Sequence, residues 1–221
     1  MGCVFVDVDG TLIAASSERR FFAYLVGSRL VGAPQLGAWI GYMARDFPHT
    51  RRNKAYLARL ARADIAAAAE RFVARSLESK LRASLLHRIE WHKRNGETIV
   101  LLTGTLDEIA RPLARRVGAD AVVATLCACA DGVYQASAPL VHPFAAAKLR
   151  LAADFARTAG VELGACAAYG DSKFDIPLLQ EVGRPVAVEP DARLARVAQR
   201  AGWEIMAFRR GHSSAAQSVP A

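Results

Sequence analysis

Four cysteines in 221 residues are too few and too scattered to make a disulfide framework. Cys3, Cys127, Cys129 and Cys166 mostly sit within apolar runs, a pattern that suits buried, reduced thiols in a cytoplasmic protein. Cys127-Ala128-Cys129 lacks the second pair or the histidines that a zinc site needs. Long apolar runs are missing too. Leu25–Ala44 is the most lipid-like stretch, but Arg29, Pro34 and Gln35 interrupt it, which excludes a spanning helix. That stretch is read as a packed helical hairpin, with an interfacial, lipid-facing helix pair as the alternative. No basic segment and apolar core precede Asp7, so no secretory leader is read and a cytoplasmic location is expected. Aromatic residues make up only 8% of the chain. They do not alternate with the basic clusters at Arg19-Arg20, Arg51-Arg52-Asn53-Lys54, Arg111–Arg116 and Arg209-Arg210, which argues against a nucleic-acid surface. Acid is also in deficit, with 21 Asp and Glu against 29 Lys and Arg and a net charge of +8, so an anionic partner is expected. Solvated helix faces account for most of these cations, and a small phosphorylated substrate would use one or two.

What is present describes a globular chain, 52% apolar and 23% charged, long enough for one domain or one domain with an insertion. Cys3–Val6 reads as a buried strand. From about Ser16 to Asn95 the sequence is rich in Ala, Leu and Arg without a convincing strand, which predicts four or five consecutive helices. Breaks are expected at Gly32-Ala33-Pro34, near Phe47-Pro48-His49 and at Arg62-Ala63-Asp64, with Asp64 as a helix cap. From Glu97 onward, short apolar strands at 98–102, 121–124, 165–169, 185–188 and 204–206 alternate with helices at 106–117, 145–159, 174–182 and 192–201. A small hairpin is expected around Asp131-Gly132-Val133-Tyr134 and a frayed tail from Gly211. This alternation predicts an α/β fold, a Rossmann-like parallel sheet with helices on both faces. The division is a core from 1–15 and 96–221 with a helical cap at 16–95, inserted after the first strand.

Chemistry gathers where the strands end, since ligands bind beyond the carboxyl ends of an open parallel sheet. The first strand runs into Asp7-Val8-Asp9-Gly10-Thr11, two carboxylates in i, i+2 spacing on one side of the strand end. Such crowding suits a divalent cation, although Asp, Gly and Thr are also ordinary turn residues. The second strand ends at Thr103-Gly104-Thr105, and a later one at Tyr169-Gly170-Asp171-Ser172 with Asp175 close behind. Lys148 lies on the helix before that last strand. Carboxylates, a hydroxyl beside a glycine and a lysine are the parts of a Mg²⁺-dependent phosphoryl-transfer site.

The segments Val4–Thr11, Val100–Thr103, Lys148 and Gly170–Asp175 stand in the order of the four motifs of the haloacid dehalogenase-like hydrolase superfamily, which this chain resembles over nearly its whole length. The helical block looks like that superfamily's C1 cap. Tyr169–Ser172, Asp175–Leu179 and Pro185–Val188 before Pro190 are similar to its phosphoserine phosphatase-like IB branch. The resemblance implies an aspartyl-phosphate mechanism with Asp7 as nucleophile and Mg²⁺ ligand. Asp9 would be the acid and base and would also face Mg²⁺ through its backbone carbonyl. Thr103, Gly104 and Lys148 would hold the phosphoryl group, Asp171 would ligate Mg²⁺, and Asp175 would orient the site from behind. Arg150 is an alternative to Lys148.

For the substrate, the branch carries a cap glutamate where this chain has Ser16, with Glu18 nearby; Arg51 and Arg52 fall where such a cap offers an arginine. The expected activity is a phosphatase for a small phosphomonoester, whether phosphoserine-like, histidinol-phosphate-like or a polar lipid phosphate. A phosphomutase or phosphotransferase sharing the intermediate, and a non-catalytic binding module, are the competing readings. A dehalogenase is disfavoured because Asp9 would have no alkoxide to protonate.

Overall fold

Short apolar strands, one at the start of the chain and five from Thr98 onward, build a six-stranded sheet. The computed structural model describes residues 2–45 and 54–208, with the side chains of 38 and 42–45 excepted. Arg51, Arg52, Arg209, Arg210, the expected break near Phe47-Pro48-His49 and the expected tail lie outside the described residues. The sheet strands are β1 (Cys3–Val6), β2 (Thr98–Leu106), β3 (Ala121–Thr125), β6 (Ala167–Gly170), β7 (Arg184–Val188) and β8 (Glu204–Met206). They run parallel in the order β3-β2-β1-β6-β7-β8. β1 therefore lies between β2 and β6, where the chain first winds one way and then the other, and its carboxyl end opens onto the crevice that such a switch creates.

Side-chain alternation explains the layers. Val4, Val6, Ile99, Leu101, Ala167 and Tyr169 face one core, and Cys3, Phe5, Val100, Leu102, Cys166 and Ala168 face the other. The first core also takes residues from the inserted helices and from α5 (Asp107–Val117). The second takes Ala152 and Ala156 of α6 (Ala146–Thr158), Leu178 and Leu179 of α7 (Ile176–Leu179), and Leu194 and Ala198 of α8 (Ala192–Ala201). Helices thus cover both faces, as expected. Cys3 and Cys166 are buried, but Cys127 is half-buried and Cys129 exposed, because the short strand β4 (Cys129–Ala130) lies outside the main sheet.

Between β1 and β2 the described residues form α1 (Ser17–Gly27), α2 (Ala33–Arg45), α3 (Arg62–Phe72) and α4 (Ala83–Arg94), with a π-turn over Val73–Leu77 prolonging α3. None of the described helices is long and apolar enough to cross a membrane. The break at Gly32 lies just before α2, as expected. Asp64 does not cap α3: Ala61 is the capping residue, because residues 59–62 bond to Gly132 and Tyr134 and deliver the backbone into the helix earlier. Asp64 instead places its charge in the first turn, where the helix dipole favours it. α4 returns the block to the sheet. There His92 Nε2 lies 2.7 Å from Tyr169 Oη on β6, and its Nδ1 lies 2.5 Å from Glu97 Oε2.

Backbone bonds tie the block to the rest of the chain at two places. At its root, Ala14 N donates to Lys80 O at 3.0 Å and Arg82 N to Leu12 O at 3.0 Å. The expected hairpin, β4 with β5 (Val133–Tyr134), reaches across to it: Arg62 N donates to Gly132 O at 2.8 Å and Tyr134 N to Leu60 O at 3.0 Å. Arg62 Nε adds an ion pair to Glu108 at 3.0 Å.

Two expected boundaries move. β2 continues to Leu106 through a register shift after Leu102, so Thr103-Gly104-Thr105 lies on the irregular end of the strand instead of beyond it. The helix expected at 174–182 shrinks to α7. Ser172 and Asp175 close a turn ahead of it, and beyond Leu179 the bonds are a mixture of i−3 and i−4 types.

The chain leaves β1 through a tight turn. Gly10 has φ +85°, and a Cβ there would stand 2.0 Å from Asp171 Oδ2. Gly10→Ala therefore combines a strained backbone with a clash and should cost about 1–3 kcal/mol, read as a lower midpoint in urea unfolding. At the far edge, Asp191 caps α8 by accepting from Arg193 N at 2.9 Å and Leu194 N at 2.8 Å. Burial tends to raise its pKa, but these bonds and that from Lys173 N win and hold it below the usual carboxylate value. A depressed folded pKa gives stability that is full above the unfolded value and lost as pH falls through the folded one. Asp191→Ala should cost about 1 kcal/mol at neutral pH, with the gap from wild type closing in acid unfolding curves.

Candidate active site

Three neighbouring strands deliver their carboxyl ends to one place. Asp7 follows β1, its N–H donating to Tyr169 O of β6 at 3.1 Å; Thr103 lies on β2, and Asp171 follows β6. Single oxygens of Asp7, Asp171 and Asp175 lie within 4.8 Å of one another. Lys148 reaches in from the first turn of α6, its Nζ 2.9 Å from Asp7 Oδ1 and 2.5 Å from Asp175 Oδ1. It is 6% exposed, so these carboxylates, not solvent, balance its charge. Arg150, by contrast, is exposed and does not line the cavity over Asp7.

The electrostatics follow from this crowding. Burial, helped by Asp175 and Asp171, pushes the Asp7 carboxyl up to about 7 against the opposing pull of Lys148. Burial and the Asp175 charge bring Asp171 to about 6. Burial would lower the Lys148 pKa, but Asp175 and Asp7 overcome it and drive the value up. When all three are ionised, the carboxylates exceed the one ammonium by two negative charges carried on oxygen ligands, the donor set and charge that fit a hard divalent cation. Asp175 is fixed from its other side by Ser172, whose N–H and hydroxyl donate to Oδ2 at 3.1 and 2.9 Å. Gly170 makes room for it, since a Cβ there would come within 2.5 Å of Asp175 Cβ.

Asp9 occupies a different setting. Its Oδ1 accepts from Ser17 N at 2.9 Å and its Oδ2 from Ser16 Oγ at 3.5 Å, so the start of α1 holds it outside the three-carboxylate group. Burial raises its pKa against the bonds from Ser17 and Thr105. Thr103 is buried, and its Oγ1 accepts from Thr105 N at 3.1 Å, which leaves the hydroxyl proton to be donated elsewhere. Gly104 contributes its carbonyl to Thr125 Oγ1 at 2.6 Å.

Asp7, Asp9, Thr103, Gly104, Lys148, Asp171 and Asp175 line one cavity of about 840 Å³. Ser16 and Glu18 line it as well, although Glu18 is ion-paired to the buried Lys54 and accepts from Tyr56 Oη at 3.3 Å. Sequence reasoning missed Arg19, Trp39, His142 and Phe144, which also line it. Arg19 sat in a basic pair read as a surface, and a signal for the others was lacking, because only the fold brings α2 and the loop before α6 to the same opening.

The haloacid dehalogenase-like hydrolase family matches residues 4–180. The chain is 30% identical over 217 residues to an "Inhibition of morphological differentiation protein" of Streptomyces azureus, covering 93% of this chain and 78% of that protein. It is 29% identical to a phosphoserine phosphatase of Mycobacterium tuberculosis, over 98% of this chain and 74% of that one. The crystal structure of a protein of unknown function from Bordetella pertussis superposes with a TM-score of 0.80 at 25% identity, over 92% of this chain and 97% of its own. Phosphatases of this family generally use Mg²⁺. With the motif carboxylates and lysine assembled at the end of β1 and the family match spanning both the helical block and most of the sheet, the chain belongs to the haloacid dehalogenase-like hydrolases.

Proposed function

We propose that this chain is a Mg²⁺-dependent phosphatase that hydrolyses a small phosphomonoester through a phosphoryl group carried on Asp7. The observation that supports this best is the pairing of Asp7 with Lys148 at 2.9 Å, beside Asp171 and Asp175 and in one cavity with Thr103. An Asp7 oxygen attacks phosphorus and the bond to the leaving alcohol breaks, giving an acyl phosphate. Asp9 gives its proton to the departing oxygen, and its raised pKa suits that task. In the second half, Asp9 takes a proton from the water that attacks the phosphoryl group, releasing phosphate and restoring Asp7. Thr103 donates to a phosphoryl oxygen, and Lys148 offsets negative charge beside Asp7.

Asp7, Asp171 and the Asp9 carbonyl would hold Mg²⁺, with Asp175 behind them; the ion, when bound, neutralises phosphoryl charge and keeps the carboxylates ionised. The division into a core (1–15 and 96–221) and a helical cap (16–95), with α4 as the cap's sheet-packed return, belongs to the same proposal. So do the assignment of Glu18 to the substrate end and a cytoplasmic location. Phosphoserine, which the mycobacterial relative's name specifies, is one candidate substrate. Here Ser16 stands where the phosphoserine phosphatase-like branch carries its amine-reading glutamate, and Glu18 is already paired.

A panel of metabolite phosphates assayed for released phosphate tests the activity. Asp7→Asn should lower turnover on the order of 10³-fold or more while leaving the thermal midpoint close to wild type. A fully active Asp7→Asn protein would refute the mechanism. Chelation with EDTA should abolish phosphate release, and added Mg²⁺ should restore it.

A further inference from the structure

Beyond the phosphate end, the cavity is walled by rings from two parts of the fold. On the helical block, Phe22 of α1, Trp39 of α2 and Tyr56 form one cluster, with Phe22 lying 5.5 Å from Trp39 and 5.1 Å from Tyr56 between centroids. On the sheet domain, His142, Phe144 and Phe174 form another, with centroid separations of 5.7 and 4.4 Å along the series. All but Tyr56 are half-buried, so the other five retain accessible surface.

The charges of the cavity select in the same direction. Each carboxylate that lines it has a partner: Asp7 and Asp175 in Lys148, Asp171 in Thr11 Oγ1 at 3.4 Å, Asp9 in Ser17, Glu18 in Lys54 and Tyr56, and Asp191 in the start of α8 and Lys173 N. The cations at its edge, Arg19 and Lys173, are exposed, and Lys173 Nζ stands 5.1 Å from the Phe174 ring centroid. An ammonium group on the substrate would meet these cations at the edge, and the residual negative charge of the Asp7–Asp171–Asp175 cluster lies at the phosphate end, where the proposed Mg²⁺ would offset it. A flat ring would meet aromatic faces and edges, which reward it beyond simple area burial.

We infer that the alcohol released from this site carries a planar aromatic ring and no ammonium group. This inference rests on the phosphatase reading, but it is tested by binding, which does not require turnover. The probes are three phosphonates of equal chain length, ending in a phenyl ring, a methyl group or an ammonium group. Their affinities are measured by calorimetry on the full chain with Mg²⁺ present. The phenyl compound should bind about tenfold tighter than the methyl compound, and the ammonium compound weaker than both. Phe144→Leu and Trp39→Leu, which keep apolar bulk and remove a ring, should each narrow the phenyl-to-methyl ratio; the ratio is internal to each variant and is insensitive to a loss of folded protein.

Equal binding of phenyl and methyl compounds, tightest binding of the ammonium compound, or no binding of any of the three would each overturn the inference. Phenyl-selective binding in a protein that hydrolyses no phosphomonoester would keep the ring-selective, ammonium-rejecting site and overturn the phosphatase reading.

Discussion

The structure turns on a concentration of negative charge that the sheet creates and a single buried lysine only half relieves. Two carboxylate charges about 5 Å apart repel by roughly 3 kcal/mol at an effective dielectric of 20, and Asp7, Asp171 and Asp175 form three such pairs. Lys148 neutralises part of this from the first turn of α6, which fixes where that helix must begin relative to β1. The same crowding explains two glycines. Gly10 and Gly170 stand where a β-carbon would collide with Asp171 and Asp175, so the backbone is stripped to let acids approach one another. A polar cluster that costs this much in repulsion and in lost side chains is what the proposed cation would compensate.

Asp7 and Asp9 show how one turn separates two chemically identical residues. Asp7 remains at the strand end, tied by its N–H to Tyr169 O and by its carboxylate to Lys148. Two residues later, past the departure of the chain toward Gly10, Asp9 accepts from the start of α1 and has no lysine beside it. Burial raises both carboxyls. For Asp7 the opposing lysine favours the charged form, and in the proposed mechanism a divalent cation would add to that; Asp9 has hydrogen bonds from Ser17 and Thr105 instead of an ammonium, and an acid that is to release a proton to an alkoxide would gain from that. The helical insertion therefore contributes to the chemistry as well as to the roof, because Ser17 belongs to α1.

Most of this was legible before any coordinates. Strand ends, the α/β alternation and the motif order in 4–11, 100–103, 148 and 170–175 are local signals, and local signals survive in one dimension. Asp64 and the 174–182 helix were misjudged because tertiary bonds decided them: the β4–β5 hairpin seizes the chain ahead of α3, and the Ser172–Asp175 turn consumes the start of α7. Cys129 was misread as part of an apolar run, since a two-residue strand outside the main sheet carries no periodicity to reveal its exposure. The rings of the cavity were beyond reach for a different reason. Phe22, Trp39 and Phe144 each look like ordinary core residues, and they become a wall only when distant segments converge.

That convergence divides the labour within the molecule. Asp7, Thr103 and Asp171 sit at the ends of three hydrogen-bonded strands, whose mutual spacing the sheet sets and the rest of the chain cannot easily change. Much of the lining that would distinguish one leaving group from another comes from α1, α2 and the segment around Tyr56, together with the loop before α6. The helical block is not loosely appended, however. Paired backbone bonds at Leu12–Ala14 with Lys80–Arg82 anchor its root, and the Leu60–Arg62 bonds to the β4–β5 hairpin anchor it a second time. A block held by backbone bonds at two separated points carries its rings to the same opening as the strand ends, so ring shape and edge charge can be varied there while the charge cluster stays undisturbed.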